Sequence, residues 1–387
     1  MLSSDVLGSL MSQSTANPPL NWLRSIADQF AHRGTVTDIA PLGNGNINDT
    51  FLITVDSLID HQFVLQRINT QVFQQPQLVM RNMRTLTEHI HAKLQKQPRD
   101  RRWKTPLVIL TKSLQDHWNA EDGAFWRAIS FIDGSEVLES IQDPAHAQEV
   151  GHALGTFHDL ISNLPAKQLA DTLEGFHITP RYLQKYNEIL ANRTTKKSRE
   201  NARPEVAYCL KFVDDRRKWA SVLETAKTNG KLPLRLMHGD PKVNNVMVDS
   251  TTQKAISLVD LDTVKPGLVH YDIGDCLRSG CNPLGEETTE WEQVQFEPQL
   301  CRSILQGYLS EARGFMTDND YAYIFDAARL IAFELGLRFF TDYLAGDVYF
   351  KTKYPEHNLA RALVQFKLTE SIEAQQATIE NLIQELR

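Results

Sequence analysis

Cysteine is scarce in this chain. Cys209, Cys276, Cys281 and Cys301 are the only four in 387 residues, and no two have C-x-x-C spacing. That is too few for a disulfide scaffold and the wrong pattern for a zinc ribbon, so free thiols in a reducing cytoplasm are expected. No stretch approaches the roughly 18 apolar residues that cross a bilayer. Residues 1–20 hold no Lys or Arg and no sustained apolar block, so they do not read as a secretory signal. An excess of positive charge is also missing: 41 Lys and Arg face 48 Asp and Glu, a net charge of −7. Neither nucleic acid nor an anionic membrane is therefore an expected partner. Internal repeats and low-complexity tracts are absent. What is present, 42% hydrophobic and 23% charged residues, suffices for compact cores, and the length allows two or three of them.

Hydrophobic periodicity divides the chain. Residues 1–20 read as a flexible leader. A helix is expected over 22–30, then strands over 36–42, 50–55 and 62–68, the first two joined by a glycine and asparagine loop, Gly43-Asn44-Gly45-Asn46-Ile47-Asn48. A helix over 77–96 and strands near 107–111, 118–119 and 124–132 complete a β-rich lobe, 21–126. Residues 127–134 form a connector. Beyond it the pattern is helical (145–164, 180–192, 205–229, 290–309, 318–344 and 359–385), interrupted by one β-rich island over 234–264. The expected fold is α+β: a small antiparallel lobe with one helix, and a larger, mainly helical lobe, 135–387, with a β-hairpin insert.

The island carries the densest chemistry. It reads LRLMHGDPKVNNVMVDSTTQKAISLVDLDTVKPG. A hairpin here delivers Asp240, Asn245 and Asp260 from loop and strand ends towards one point. Hard oxygen ligands of this kind suit Mg²⁺ holding a polyphosphate. The spacing H-x-D-x-x-x-x-N, followed about twenty residues later by a strand-borne Asp, matches the catalytic and metal loops of the protein-kinase-like superfamily. In that scheme Asp240 takes the proton of the attacking hydroxyl, Asn245 and Asp260 hold magnesium, and Lys242 neutralises the moving phosphoryl group. His238 braces the loop. Asp262 is either a further metal ligand or a solvated neighbour. The plainer explanation, two acidic turns flanking a hairpin, does not account for the order of the surrounding elements.

In the small lobe, Gly43, Gly45 and Asn46 would close backbone amides over phosphates, although G-x-G alone also describes an ordinary turn. The third strand carries Gln66-Arg67 where a phosphate-pairing lysine is expected, so either residue is a candidate for that slot.

The chain resembles the aminoglycoside phosphotransferase and choline kinase branch of that superfamily, and more narrowly the N-acetylhexosamine 1-kinases. The segments carrying the likeness are NINDTFLI, FVLQRINTQVF, GFHITPRY, HGDPKVNNVMVD, LVDLDTVKPG, YDIGDCLRSG and LRFFTDYLAGDVYFKTKYPEHNL. The resemblance implies a two-lobed kinase fold and transfer from ATP, with Mg²⁺, to the anomeric hydroxyl of N-acetylglucosamine or N-acetylgalactosamine. It implies a sugar pocket served by Asn48, Asp49, Thr263, Arg338 and Tyr349, with Asp49 standing where a family member can carry Thr. In that subgroup Gln also replaces the strand lysine. A cytoplasmic monomer taking a sugar and ATP is the corresponding expectation.

Two other readings compete. One keeps the kinase but changes the acceptor to homoserine, choline, methylthioribose or an aminoglycoside. The other is a nucleotide-binding module without turnover. The basic run Lys93, Lys96, Arg99, Arg101, Arg102, Lys104 and the shorter Lys196, Lys197, Arg199 are expected to be solvated surface. His152, His158 and His177 lack zinc-ligand spacing.

Overall fold

The computed structural model describes residues 19–43, 47–193 and 203–387. By its contacts the chain divides into two compact units, one of residues up to Asn69 with Val108–Phe131, the other of Thr70–Leu107 with Ile132–Arg387.

In the first unit, helix α1 (Leu20–Ala27) precedes strands β1 (Val36–Pro41), β2 (Asp49–Val55), β3 (Gln62–Ile68), β4 (Val108–Ile109), β5 (Trp118–Asn119) and β6 (Phe125–Ser130). They form one antiparallel sheet in the order β1-β2-β3-β6-β4, with β5 also pairing β6. Strand β2 alternates as a half-buried strand must: Phe51, Ile53 and Val55 face inward. They pack with Phe63, Leu65, Trp126 and the buried face of α1, where the Trp22 and Trp126 rings meet edge-on at 5.4 Å.

The second unit begins with α2 (Pro76–Lys96), which the sequence boundary had grouped with the β-rich lobe. Next come β7 (Ser135–Val137), α3 (Pro144–Ile161), α4 (Thr179–Arg193), α5 (Pro204–Arg216) and α6 (Val222–Thr228). Strands β8 (Arg235–Met237), β9 (Val246–Asp249), β10 (Ala255–Leu258) and β11 (Lys265–Gly267) follow. The rest is helical: α7 (Val269–Gly280), α8 (Pro298–Ala312), α9 (Asp318–Ala322), α10 (Ile324–Ala345), α11 (His357–Ala374) and α12 (Gln376–Leu386). Helices α3 and α8 cross at backbone contact, since a Cβ on Gly151 or Gly307 would fall 1.9 Å from a carbonyl oxygen of the other helix. The main core gathers α5, α7, α10 and α11 around Phe212, Phe333, Phe340 and Phe366.

Several boundaries differ from the periodicity. Residues 127–130 of the expected connector belong to β6. Strand β7 extends the expected hairpin to a third strand by pairing with β9. The helix expected from 290 starts only at Pro298, because the residue before a proline is kept out of the helical region; Glu297 sits at φ −96°, ψ 105°. The helices expected over 205–229, 318–344 and 359–385 are each interrupted. Helix α7 was not expected at all. Its side chains from Val269 to Arg278 are all buried, polar ones included, so no polar face marks it.

Candidate active site

The first strand of the island, β8, ends at Met237 and delivers His238, Gly239 and Asp240. Gly239 takes φ +91°, and a Cβ there would stand 2.9 Å from the Thr263 Cβ and carbonyl oxygen, so only glycine fits. Buried side chains hold the polar groups of the peptides on either side. Asp272 of α7 accepts from the His238 N–H at 2.6 Å and the Gly239 N–H at 2.8 Å. The Thr263 hydroxyl donates to the His238 carbonyl at 2.8 Å. A ring nitrogen of His177 lies 2.7 Å from the Gly239 carbonyl, and the Asp240 N–H points at His238 Nδ1 at 3.2 Å. His238 Nε2 is 2.9 Å from the Val259 carbonyl, so this ring serves both partners with its one proton on Nε2. Burial holds His238 below the ordinary histidine value, which favours that neutral form and the bracing role expected of it.

The half-buried Asp240 carboxylate is the group so placed. Lys242 Nζ donates to Oδ2 at 2.9 Å, and the Asn245 amide donates to the Asp240 backbone carbonyl at 2.6 Å and to Oδ2 at 3.3 Å. Burial pushes the Asp240 carboxyl upward, but the charge and hydrogen bond of Lys242, with His238 and Arg278, together hold the group below its usual range. Lys242 is raised in turn, chiefly by Asp240 and, after the opposing effect of burial, by Asp260. Asp260 thus lies within electrostatic reach of Lys242. It is exposed, with a left-handed backbone at φ +64° that a non-glycine residue adopts at a cost. Asp262 is 2% exposed, which removes the solvated-neighbour option. The donor set suits a hard cation: the Asn245 amide spends its N–H₂ on Asp240, leaving its carbonyl oxygen as the ligand, and Asp260 and Asp262 add carboxylates. Among the described residues, no cluster of three His, Cys, Asp or Glu has metal-binding geometry. The candidate set needs an amide oxygen and phosphate to complete it.

Arg338 of α10 stands over three rings, with its guanidinium carbon 5.3 Å from the Phe176 centroid, 5.1 Å from Tyr182 and 5.5 Å from Phe350. Burial would lower its pKa, but Tyr182, Tyr349, Glu334 and Asp240 together raise it. The cation therefore feels the catalytic loop. Tyr349 is 48% exposed and meets Phe350 edge-on at 4.8 Å. Thr263, expected at the sugar, spends its hydroxyl on the His238 carbonyl.

In the first unit, Gly43 has φ +70° in the turn after β1. Gly45 and Asn46 lie outside the described residues. Asn48 Oδ1 accepts from the Asn69 N–H at 3.0 Å. Asp49 and Arg67 are cross-strand partners and form an ion pair, with Arg67 Nε 2.7 Å from the carboxylate. Gln66 donates to Thr50 Oγ1 at 3.0 Å and accepts from Arg127 Nε at 2.8 Å. A buried cation, Arg127 on β6, therefore bonds directly to the residue in the lysine slot.

Sequence reasoning missed Asp272, Glu334, Asp342 and Arg127. Asp272 lay within the quoted YDIGD segment, and Asp342 within the long C-terminal block, but nothing local marked either as a loop clamp. In the first basic run, Lys93 and Arg99 are half-buried where solvated surface was expected. Lys93 and Arg99 engage Asp159, Arg99 also binds Glu311, Arg101 meets Glu149, and Arg102 meets Asp249. These ion pairs tie residues 93–102 to the rest of the second unit, while Lys96, Arg101, Arg102 and Lys104 are exposed as expected. Lys196, Lys197 and Arg199 lie outside the described residues. The four cysteines are buried free thiols. No helix among the described residues is long and apolar enough to cross a membrane.

Residues 38–303, more than half of the chain, match the model of the phosphotransferase enzyme family. Solved structures share the whole architecture at low identity. A microcompartment-associated aminopropanol kinase is 17% identical with a TM-score of 0.61, covering 94% of this chain and 99% of its own. An aminoglycoside phosphotransferase from Alicyclobacillus acidocaldarius is 15% identical at 0.58, covering 97% and 99%. A spectinomycin phosphotransferase, solved with ADP and spectinomycin, is 12% identical at 0.57, covering 94% and 100%.

Proposed function

The chain belongs to the phosphotransferase enzyme family, with the α+β kinase-like fold of its solved relatives, and from that premise we propose that it transfers a phosphoryl group from ATP to the anomeric hydroxyl of an N-acetylhexosamine. The observation that carries this reading is the ionised Asp240 beside Lys242, with the ring-caged Arg338 within electrostatic reach.

Asp240 accepts a hydrogen bond from the acceptor hydroxyl and takes its proton as the new phosphorus–oxygen bond forms. An anomeric hydroxyl is more acidic than an ordinary alcohol, so a carboxylate held below its usual range still serves. Lys242 offsets charge on the moving group. Asn245, Asp260 and Asp262 would hold Mg²⁺, which would supply charge neutralisation to the nucleotide phosphates. Gly43, Gly45, Asn46, Gln66 and Arg67 are assigned to the nucleotide, with Arg127 backing Gln66. Arg338 donates to ring hydroxyls, Tyr349 offers a face to the sugar, and Asn48, Asp49 and Thr263 complete the acceptor set. A cationic acceptor such as choline or an aminoglycoside would meet the Arg338 charge, which disfavours that alternative. Neutral or zwitterionic acceptors, methylthioribose and homoserine, remain the competing alcohols.

Phosphorus NMR of the products from Mg-ATP and a mixed panel of hexosamines, hexoses and the alternative alcohols tests the reading. The expected product is a sugar phosphate attached at the anomeric carbon; ADP release with no such product overturns the acceptor assignment. Asp240→Asn should lower turnover by about 10²–10⁴-fold while Mg-ADP binding persists. Undiminished turnover would remove Asp240 from the chemistry.

A further inference from the structure

His177 is 4% exposed and is not used in the reaction above. It sits at φ +62°, in left-handed backbone that an imidazole adopts at a cost unless its surroundings require it. One ring nitrogen, Nε2, is 2.7 Å from the carbonyl of the Gly239–Asp240 peptide. The other, Nδ1, is 2.9 Å from Glu334 Oε1 on α10. Carbonyl and carboxylate oxygens only accept, so the geometry asks the ring to donate twice, which requires a proton on both nitrogens. Glu334 is 1% exposed, and its second oxygen takes the Thr179 hydroxyl at 2.6 Å. Arg338 lies one helical turn beyond Glu334, on the same face of α10.

We propose that His177 is a positioning residue for Asp240, acting as a doubly donating imidazolium that ties the Gly239 carbonyl to Glu334. The peptide so held is the one that sets the direction of the Asp240 side chain. Its N–H is already taken by His238, and the peptide before it is held by Asp272 and Thr263. Without the His177 bond, the Gly239 carbonyl would be a buried acceptor with a lost donor, and the glycine would be free to rotate it.

The groups facing His177 come from several elements. Glu334 is on α10. Asp275 acts on the ring from α7, and Tyr271, also on α7, stacks on it at 5.4 Å. Tyr182 on α4 bonds to the His177 backbone, and Phe176 lies against the ring at 4.0 Å, with Arg338 over the Phe176 ring. Burial pushes His177 down, but Glu334, the bond to Gly239 and Asp275 push it up, and the net direction is upward. A raised value carries the doubly protonated form to higher pH than an ordinary histidine keeps it, and loses it as pH rises through that value. The second donor then disappears, and the turnover number should fall on the alkaline side.

The kinetic arm of the test rests on the phosphotransferase reading; the spectroscopic arm does not. In the full chain labelled with ¹⁵N-histidine, two ring N–H resonances are expected for His177 from pH 6 to 8, identified by their loss in His177→Gln. A single ring N–H over that range overturns the proposal. In ADP-release assays with the acceptor that supports turnover, His177→Gln should lower kcat tenfold or more while KM for Mg-ATP stays within twofold. Glu334→Gln should move the alkaline limb of the kcat–pH profile down by at least one pH unit. Folded variants, checked by circular dichroism and Mg-ADP binding, that keep the original kcat and the original limb also overturn it. Should either variant fail to fold, the two resonances and the alkaline limb of the unmodified chain decide. If the unmodified chain releases no ADP with any acceptor, the phosphotransferase reading falls, and the resonances alone decide the state of His177.

Discussion

Asp272 on α7 and Asp342 on α10 do the same job in contrasting surroundings. Each is a helix carboxylate that collects backbone N–H groups from a loop. Asp272 takes His238 and Gly239, while Asp342 takes Val348 at 3.0 Å and Tyr349 and Phe350 at 2.9 Å each. Asp272 has no solvent exposure and shares an oxygen with His158 Nε2 at 2.7 Å. Asp342 is partnered by a neutral amide, Asn358, and the loop it holds is open: Val348 is 75% exposed and Tyr349 48%. A clamp sealed from water leaves its loop one geometry, as proton transfer requires. A clamp on an exposed loop fixes the backbone and leaves the side chains free to adapt. The comparison teaches that one device, a carboxylate nest, gives rigidity or adaptability according to what surrounds it.

The comparison can be broken at either end. The largest effect is expected from Asp272→Ala. This leaves two buried N–H groups and His158 without their acceptor, and should cost about 3–5 kcal/mol of stability by denaturant titration, with turnover falling alongside. A loss below ~1 kcal/mol would mean that the loop holds itself. Asp342→Ala should act on acceptor recognition, because its loop carries Tyr349 and the Phe350 ring that faces Arg338. A roughly tenfold rise in KM for the acceptor is expected, with kcat and KM for Mg-ATP nearly unchanged. A kcat loss as large as that of Asp272→Ala would erase the distinction between the two clamps.

The smallest effect tests what holds the far end of the Asp342 loop. There Glu287 binds Lys353 at 2.8 Å, Arg361 at 2.7 Å and His357 at 3.0 Å. Burial would raise its carboxyl, but the bonds to Lys353 and Arg361, with the Arg361 charge, hold it down at about 2. A carboxyl lowered on folding stabilises above its unfolded value of about 4.3 and loses that contribution as pH falls towards 2. Glu287→Gln should therefore lower Tm by roughly a degree or two at pH 7, less in high salt because Glu287 is 42% exposed. The gap should close by about pH 2. A gap independent of pH would show that charge is not what matters there.

Much of the fold was legible in the residues. Strand β2 announced itself because one face is buried and the other is not, and α1 and α2 because their apolar residues recur along one stripe. Helix α7 was invisible for the opposite reason, since its polar residues are buried with the apolar ones. Strand β7 is three residues long, too short for any period. At the candidate site, Asp240, Asn245 and Asp260 could be picked out because they lie close together in sequence with a recognisable spacing. Their supports could not. Asp272 is 32 residues beyond Asp240, while His177 and Glu334 lie 63 before it and 94 after, and no local pattern links such positions.

By itself the sequence determined which side chains are available for chemistry and which segments are helix or strand, because spacing and periodicity are properties of neighbours along the chain. The tertiary structure alone decided how those side chains are held: that Lys242 turns onto Asp240, that Arg99 of the basic run meets Asp159, and that the Gly239 carbonyl meets His177. Hydrogen bonds and charge pairing act over a few ångströms of space, and only folding brings residues so distant in sequence within that range.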